Sequence, residues 1–191
     1  MLLLTPVEFV SNPKRLADFG FAKQLGEDGD GRTYTFCGTP GYVAPENILA
    51  SGYNTSVDWW SLGVLTYVLL TGQQPFGRPS DYAMAIMRRI INPCWEVTFP
   101  PYLSKTAIAF INGLLQRKPS QRLGYSALGV SGIKDHPWFA GFNWEQLRAR
   151  HLDPPIEASR LKKDKARLMG FVDDAVPPLP TAEAIRVFKN F

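Results

Sequence analysis

DFGFAKQLGEDGDGRTYTFCGTPGYVAPE, residues 18–46 of a 191-residue chain, is the stretch from which everything else is read. It opens on Asp18, a carboxylate able to bind a metal ion, and closes on Glu46, a carboxylate placed to brace a fold. Between them lie a loop rich in Gly and Asp, a hydroxyl cluster of Thr33, Tyr34 and Thr35, and a tight turn, Cys37-Gly38-Thr39-Pro40. Alone, Asp18-Phe19-Gly20 is a common tripeptide whose plain reading is a surface turn. What restricts the reading is its ordered succession, at this distance, by Gly-Thr-Pro and then by Ala44-Pro45-Glu46.

Composition allows an ordinary globular chain of one domain with an appendage: 45% of residues are hydrophobic and 20% charged. The net charge of +4 is modest. Lys and Arg are scattered apart from Lys162, Lys163, Lys165 and Arg167, a run that reads as a solvated charged face able to touch an acidic partner rather than as a nucleic-acid surface. Two cysteines, Cys37 and Cys94, make neither a metal spacing nor a disulfide framework, so a reducing, cytoplasmic compartment is expected. Residues 1–4 are too short and uncharged for a signal peptide, and no apolar run reaches the roughly 20 residues a bilayer requires, so no membrane association is expected.

Asp-Phe-Gly and Ala-Pro-Glu flanking a phosphosite belong to the protein-kinase signature set. Residues 18–46 resemble the activation segment of serine/threonine protein kinases, and DFGFAK with TFCGTP is similar to the AGC group, especially its cyclic-nucleotide-dependent members. The resemblance implies that Asp18 holds the magnesium bridging the nucleotide phosphates and so contacts ATP. It also implies that Phe19 packs into the core and that Gly20 supplies backbone freedom. Thr35 matches the activation-loop phosphorylation site, and Lys23 one cation that would pair with its phosphate. Gly38, Thr39 and Pro40 match the pocket for the residue after the phosphoacceptor. Gly41 departs from the pattern, since relatives carry an acid there, and Val68 stands where many have a glutamate; both changes remove negative charge from the peptide groove, so a preference for basic substrates is not expected. Asp28-Gly29-Asp30-Gly31 resembles a calcium loop, but Thr39 stands where its twelfth-position glutamate belongs, so calcium binding is rejected.

Outward from this segment the chain reads as mainly α with a small β-hairpin. Residues 2–4 and 15–17 flank a connection bearing Pro and Asn and predict the hairpin. Asn54 or Thr55 is positioned to cap a helix running through WWSLGVLTYVLLTG to Gly72, with Asp58 in its first turn. Apolar residues cover every face of this helix, which predicts burial at the centre of a domain. By resemblance Asp58 anchors the catalytic-loop backbone, and without that partner it is a buried acid in danger of being unsatisfied. Ser80 is expected to cap a helix presenting Tyr82, Ile86 and Ile90, and Ser104 one presenting Ala107, Ile108, Ile111, Leu114 and Leu115. Both stripes read as core, and in the family the first of these helices also offers a docking surface for regulators. Arg122 matches the arginine that pairs with the Ala-Pro-Glu glutamate, so a buried Glu46 to Arg122 ion pair is expected. His136, in His-Pro-Trp-Phe, reads as a packed structural histidine, because no second ligand or acid stands at a useful spacing.

These expectations amount to a protein-kinase-like large lobe, N-terminally truncated, over residues 1–139, followed by an AGC-type extended C-terminal tail over 140–191. The tail ends in Phe188-Lys189-Asn190-Phe191, which resembles the terminal hydrophobic motif that docks in a small-lobe pocket. The family reaction is transfer of the γ-phosphate of Mg-ATP to Ser or Thr of protein substrates, under control of a regulatory subunit or domain. These 191 residues contain no Gly-rich loop, strand lysine or His-Arg-Asp catalytic loop, so no catalytic residue is assigned, and ATP and Mg2+ are expected to bind weakly or not at all. The chain alone is therefore expected to be inactive. The other readings are a non-catalytic binding fragment derived from a kinase, and a truncated gene model of a full-length one.

Overall fold

The computed structural model describes residues 19–25 and 31–152. Asp18, the expected hairpin, the Asp28 to Asp30 part of the loop, and the tail motif with Phe188 and Phe191 lie outside the described residues. Six α-helices occur within the described residues: α1 (Pro45–Ile48), α2 (Ser56–Thr71), α3 (Ala83–Ile91), α4 (Lys105–Leu114), α5 (Gly129–Lys134) and α6 (Trp144–Arg148). β pairing among them is confined to one isolated antiparallel bridge, Thr33 to Tyr53. Two units divide the chain; one contains Gly20–Ala140, and the described part of the other is Phe19 with residues 141–152, which carry α6.

Helix α2 organises the larger unit. Asn54 Oδ1 accepts from the Ser56 N–H at 3.1 Å at its start, and Gly72, in the left-handed region at φ 69°, stops it by donating its N–H to Val68 O at 2.8 Å. Trp60, Val64 and Tyr67 are buried, with the Trp60 ring stacked on Phe76 at 5.4 Å. Burial on every face does not hold, since Leu69 is 56% exposed. Gly63 lets α4 approach closely: a Cβ there would lie 2.8 Å from Leu114 Cβ and 2.9 Å from Leu115 Cδ2.

Helix α4 is capped by Ser104, whose Oγ accepts from Ala107 N at 3.1 Å, and it buries Ala107, Phe110, Ile111 and Leu114. The expected start of α3 is corrected. Tyr82 rather than Ser80 is the N-cap, with no side-chain cap bond, and Tyr82 is 62% exposed instead of facing the core. The reason is Asp81, whose carboxylate accepts from the Arg78 N–H and pairs with Arg89 one helical span later. That pairing fixes the helix start, and the inward stripe becomes Ala83, Met87 and Ile90.

A second cluster forms on Phe110, whose ring lies 4.8 Å from Trp138, 5.2 Å from Phe139 and 5.2 Å from His136. His136 Nδ1 accepts from the Trp138 N–H at 3.2 Å, capping the turn Pro137–Phe139, and burial lowers its pKa. It is a capping and packing residue.

Candidate functional site: an anchored segment and its exposed threonine

Pro45, with its fixed φ, opens α1 and places Glu46 in the first turn, where a carboxylate suits the helix dipole. A turn of 3₁₀ helix at Pro119–Gln121 delivers Arg122 from the other direction. The two meet as a fork: Arg122 Nη1 donates to Glu46 Oε1 at 2.6 Å and Nη2 to Oε2 at 2.9 Å. Arg122 is 0% exposed, so every donor matters. Nη1 also donates to Ser56 O at 2.9 Å and Nε to Gln116 O at 3.0 Å. Ser56 Oγ donates to Glu46 Oε1 at 3.2 Å, and the guanidinium lies over the Trp60 ring, 5.3 Å from its centroid. One ion pair thus ties α1, the start of α2 and the chain beyond α4 together. A buried pair satisfied in this way contributes geometry as much as energy, and losing one partner typically costs about 3 to 5 kcal/mol.

Upstream of this clamp the segment is a buried turn. Gly38 sits at φ 119°, a conformation L side chains rarely adopt, and is buried. Thr39 O accepts from the Tyr42 N–H at 2.9 Å, closing the turn Pro40–Tyr42, and Ser61 Oγ of α2 donates to Tyr42 O at 2.9 Å. Gly41 is buried, and a Cβ there would lie 3.0 Å from Gln74 Oε1, an acceptor with no hydrogen-bond partner among the described residues. A neutral amide therefore occupies the space a side chain at position 41 would need. Val68 is partly buried against the main core cluster.

Thr35 is exposed, but its backbone is held: Tyr53 OH donates to Thr35 O at 2.5 Å, with Cys37 Sγ 3.7 Å away. Burial, then the Cys37 contact, raises the Tyr53 pKa well above the usual phenol range, so it stays a donor. Thr33, two residues earlier, is buried and exchanges two 2.9 Å backbone bonds with Tyr53. The Tyr34 ring covers Gly52, where a Cβ would meet it at 2.8 Å. Lys23, read as a partner for phosphate on Thr35, donates in the unphosphorylated chain from Nζ to Thr33 Oγ1 at 3.0 Å. An unmodified threonine at 35 carries no charge to draw the ammonium.

Phe19 and Gly20 stand in a short 3₁₀ turn, Phe19–Phe21, and Gly20 is exposed. Asp58, half-buried in the first turn of α2, has its pKa raised by burial, and its carboxylate finds no hydrogen-bond or ion-pair partner among the described residues. Groups of three or more His, Cys, Asp or Glu able to hold a metal are absent among the described residues. Tyr53 and Ser56 are contributors that sequence reasoning missed. A lone bridge across twenty residues has no periodic signature, and a serine in a helix's first turn reads only as a cap.

A model for "Protein kinase domain" matches residues 7–139. Over 142 residues the chain is 44% identical to the Drosophila melanogaster cGMP-dependent protein kinase, isozyme 1, covering 74% of this chain and 18% of that protein. It is 44% identical over 143 residues to human cGMP-dependent protein kinase 2, with 75% and 18% covered. Against cAMP-dependent protein kinase type 3 of Saccharomyces cerevisiae it is 42% identical over 143 residues, covering 75% of this chain and 34% of the relative. The chain thus spans less than a fifth of the length of the cGMP-dependent relatives.

Proposed function

Because the chain belongs to the protein kinase family, we propose that it is the activation segment and helical lobe of a cyclic-nucleotide-kinase-like serine/threonine kinase of the AGC group. The observation that carries this is the Glu46 to Arg122 clamp standing behind an exposed Thr35. Such an arrangement holds one end of the segment rigid and leaves the hydroxyl at the other end accessible to a modifying enzyme. Phosphate on Thr35 adds nearly two negative charges. Lys23, now on the neutral Thr33 hydroxyl, is the cation on hand to answer them.

Asp18 would hold Mg2+ on the phosphates of ATP, supplying charge neutralisation to the transferring γ-phosphoryl group. Gly38, Thr39 and Pro40 would shape the pocket beside the acceptor. With Gly41 and Val68 in place of acids, and the Gln74 amide against Gly41, that groove favours neutral protein substrates over arginine-rich ones. The Gly-rich loop, strand lysine and catalytic loop are not among these 191 residues, so turnover requires a polypeptide that supplies them. Residues 140–191 would serve as the C-terminal extension, with Phe188 and Phe191 as its docking motif, and a cytoplasmic setting fits the free Cys37 and Cys94.

The test is γ-phosphate transfer to a Ser/Thr peptide library. The purified 191-residue chain is expected to transfer none. The same residues joined to the missing loops are expected to be active, to lose activity with Asp18→Ala, and to gain it when Thr35 is phosphorylated. Transfer by the chain alone that Asp18→Ala abolishes, or a joined protein indifferent to Thr35→Ala, would overturn the proposal.

A further inference from the structure

Between the segment following α3 and the C-terminal end of α4 lies a cavity of about 570 Å³, a size typical of small-molecule sites. Trp95, Phe99 and Leu115 give it an apolar, largely aromatic wall, and Arg117 and Lys118 also line it. The Phe99 ring is itself held edge-on to Tyr67 at 5.7 Å, so the wall belongs to the core and is not a loose loop.

Arg117 is half-buried and, among the described residues, its guanidinium is tied to carbonyls alone. Its Nε donates to Ile90 O at 2.9 Å and its Nη2 to Trp95 O at 2.9 Å and Arg89 O at 3.5 Å. Those carbonyls fix the guanidinium without neutralising it. Nη1 donates to none of the described residues, and none of their carboxylates pairs with Arg117. Burial lowers its pKa, the signature of a desolvated cation lacking a counter-ion. Arg122 and Arg89, by contrast, each hold a carboxylate. Glu96, the acid lining the cavity, and Lys118 are both exposed, so Arg117 is the charge fixed in its wall.

We propose that this cavity binds a small amphiphilic carboxylate, its flat apolar body against Trp95 and Phe99 and its carboxylate on Arg117 Nη1 and the Lys118 ammonium. A rigid, preset guanidinium corner beside an aromatic wall offers both halves of such a ligand a place at little ordering cost. The proposal stands independently of the kinase reading.

The test is calorimetric titration of the full chain with 2-naphthoate and with its uncharged analogue 2-naphthylmethanol. Saturable 1:1 binding of the naphthoate is expected, with the alcohol weaker by about tenfold, the worth of one charge-assisted hydrogen bond. Asn112→Trp, an exposed position on the cavity lining, should fill the space and abolish binding. Lys118→Glu, also exposed, should weaken it about threefold or more. Absence of saturable naphthoate binding, equal affinity for the alcohol, or either variant binding like the parent overturns the proposal. So does binding of a peptide ending in Trp-Glu when naphthoate fails, which would point to a protein partner.

Discussion

The two halves of the segment ahead of α2 are held by different chemistry. From residue 38 to 48 every position is buried except the half-buried Thr39 and Tyr42, and the anchor is a side-chain ion pair. From 32 to 36, Arg32, Tyr34 and Thr35 are exposed, Phe36 is half-buried, and the hold is mainly backbone pairing of Thr33 with Tyr53 plus one phenolic hydrogen bond. Under the proposed function the difference separates two tasks. A segment that must place a substrate pocket needs a rigid seat, whereas a segment that must be modified needs an accessible hydroxyl and a local structure cheap to rearrange.

The largest effect is expected from removing the seat. Glu46→Ala strands a fully buried guanidinium and should cost about 3 to 5 kcal/mol, read as a shift in the urea midpoint. The double variant Glu46→Leu/Arg122→Met should recover at least half of that loss, and if it falls further instead, the pair is not acting as a unit. Ser56→Ala removes a buried donor to the same carboxylate and should cost about 1 to 3 kcal/mol. Tyr53→Phe acts on the other half. About 1 kcal/mol is expected, appearing as faster limited proteolysis within residues 32–36 rather than as a change in global unfolding. Equal destabilisation by Tyr53→Phe and Glu46→Ala would erase the contrast.

The smallest effect is a pH dependence at α2. Burial raises the folded-state pKa of Asp58 above its unfolded value, about 3.9 for a free aspartate. The protonated acid is therefore the form the fold prefers. Its contribution is present below about pH 3.9 and is lost as pH rises through the raised folded-state pKa. Asp58→Asn should thus stabilise the protein at neutral pH, with the advantage vanishing in acid. Thermal melts across this range check it, and an advantage that grows on acidification would contradict the burial argument.

Much of this was legible in the sequence. Glu46 and Arg122 stand out because ordered motifs name them, and α2 and α4 because Gly72 and Ser104 mark an end and a start with local chemistry that tertiary contacts do not alter. The start of α3 was misread because an acid two turns from an arginine outweighed a serine cap, a choice set by side-chain geometry. Tyr53 was invisible because its role depends on a bridge between distant residues without a repeating pattern. The Lys23 contact with Thr33 was not legible because the resemblance describes a phosphorylated state, while the chemistry here is that of a neutral threonine.

Hydrogen–deuterium exchange on the full chain, unmodified and as Glu46→Ala, tests the division most directly. The amides of residues 47–49, bonded within α1, should exchange slowly in the parent and those of 34–36 rapidly. Glu46→Ala should collapse that difference by exposing 47–49, with little change at 34–36. Slow exchange at 47–49 surviving Glu46→Ala, or exchange at 34–36 as slow as at 47–49 in the parent, would contradict the claim that the buried ion pair anchors one half and leaves the other accessible.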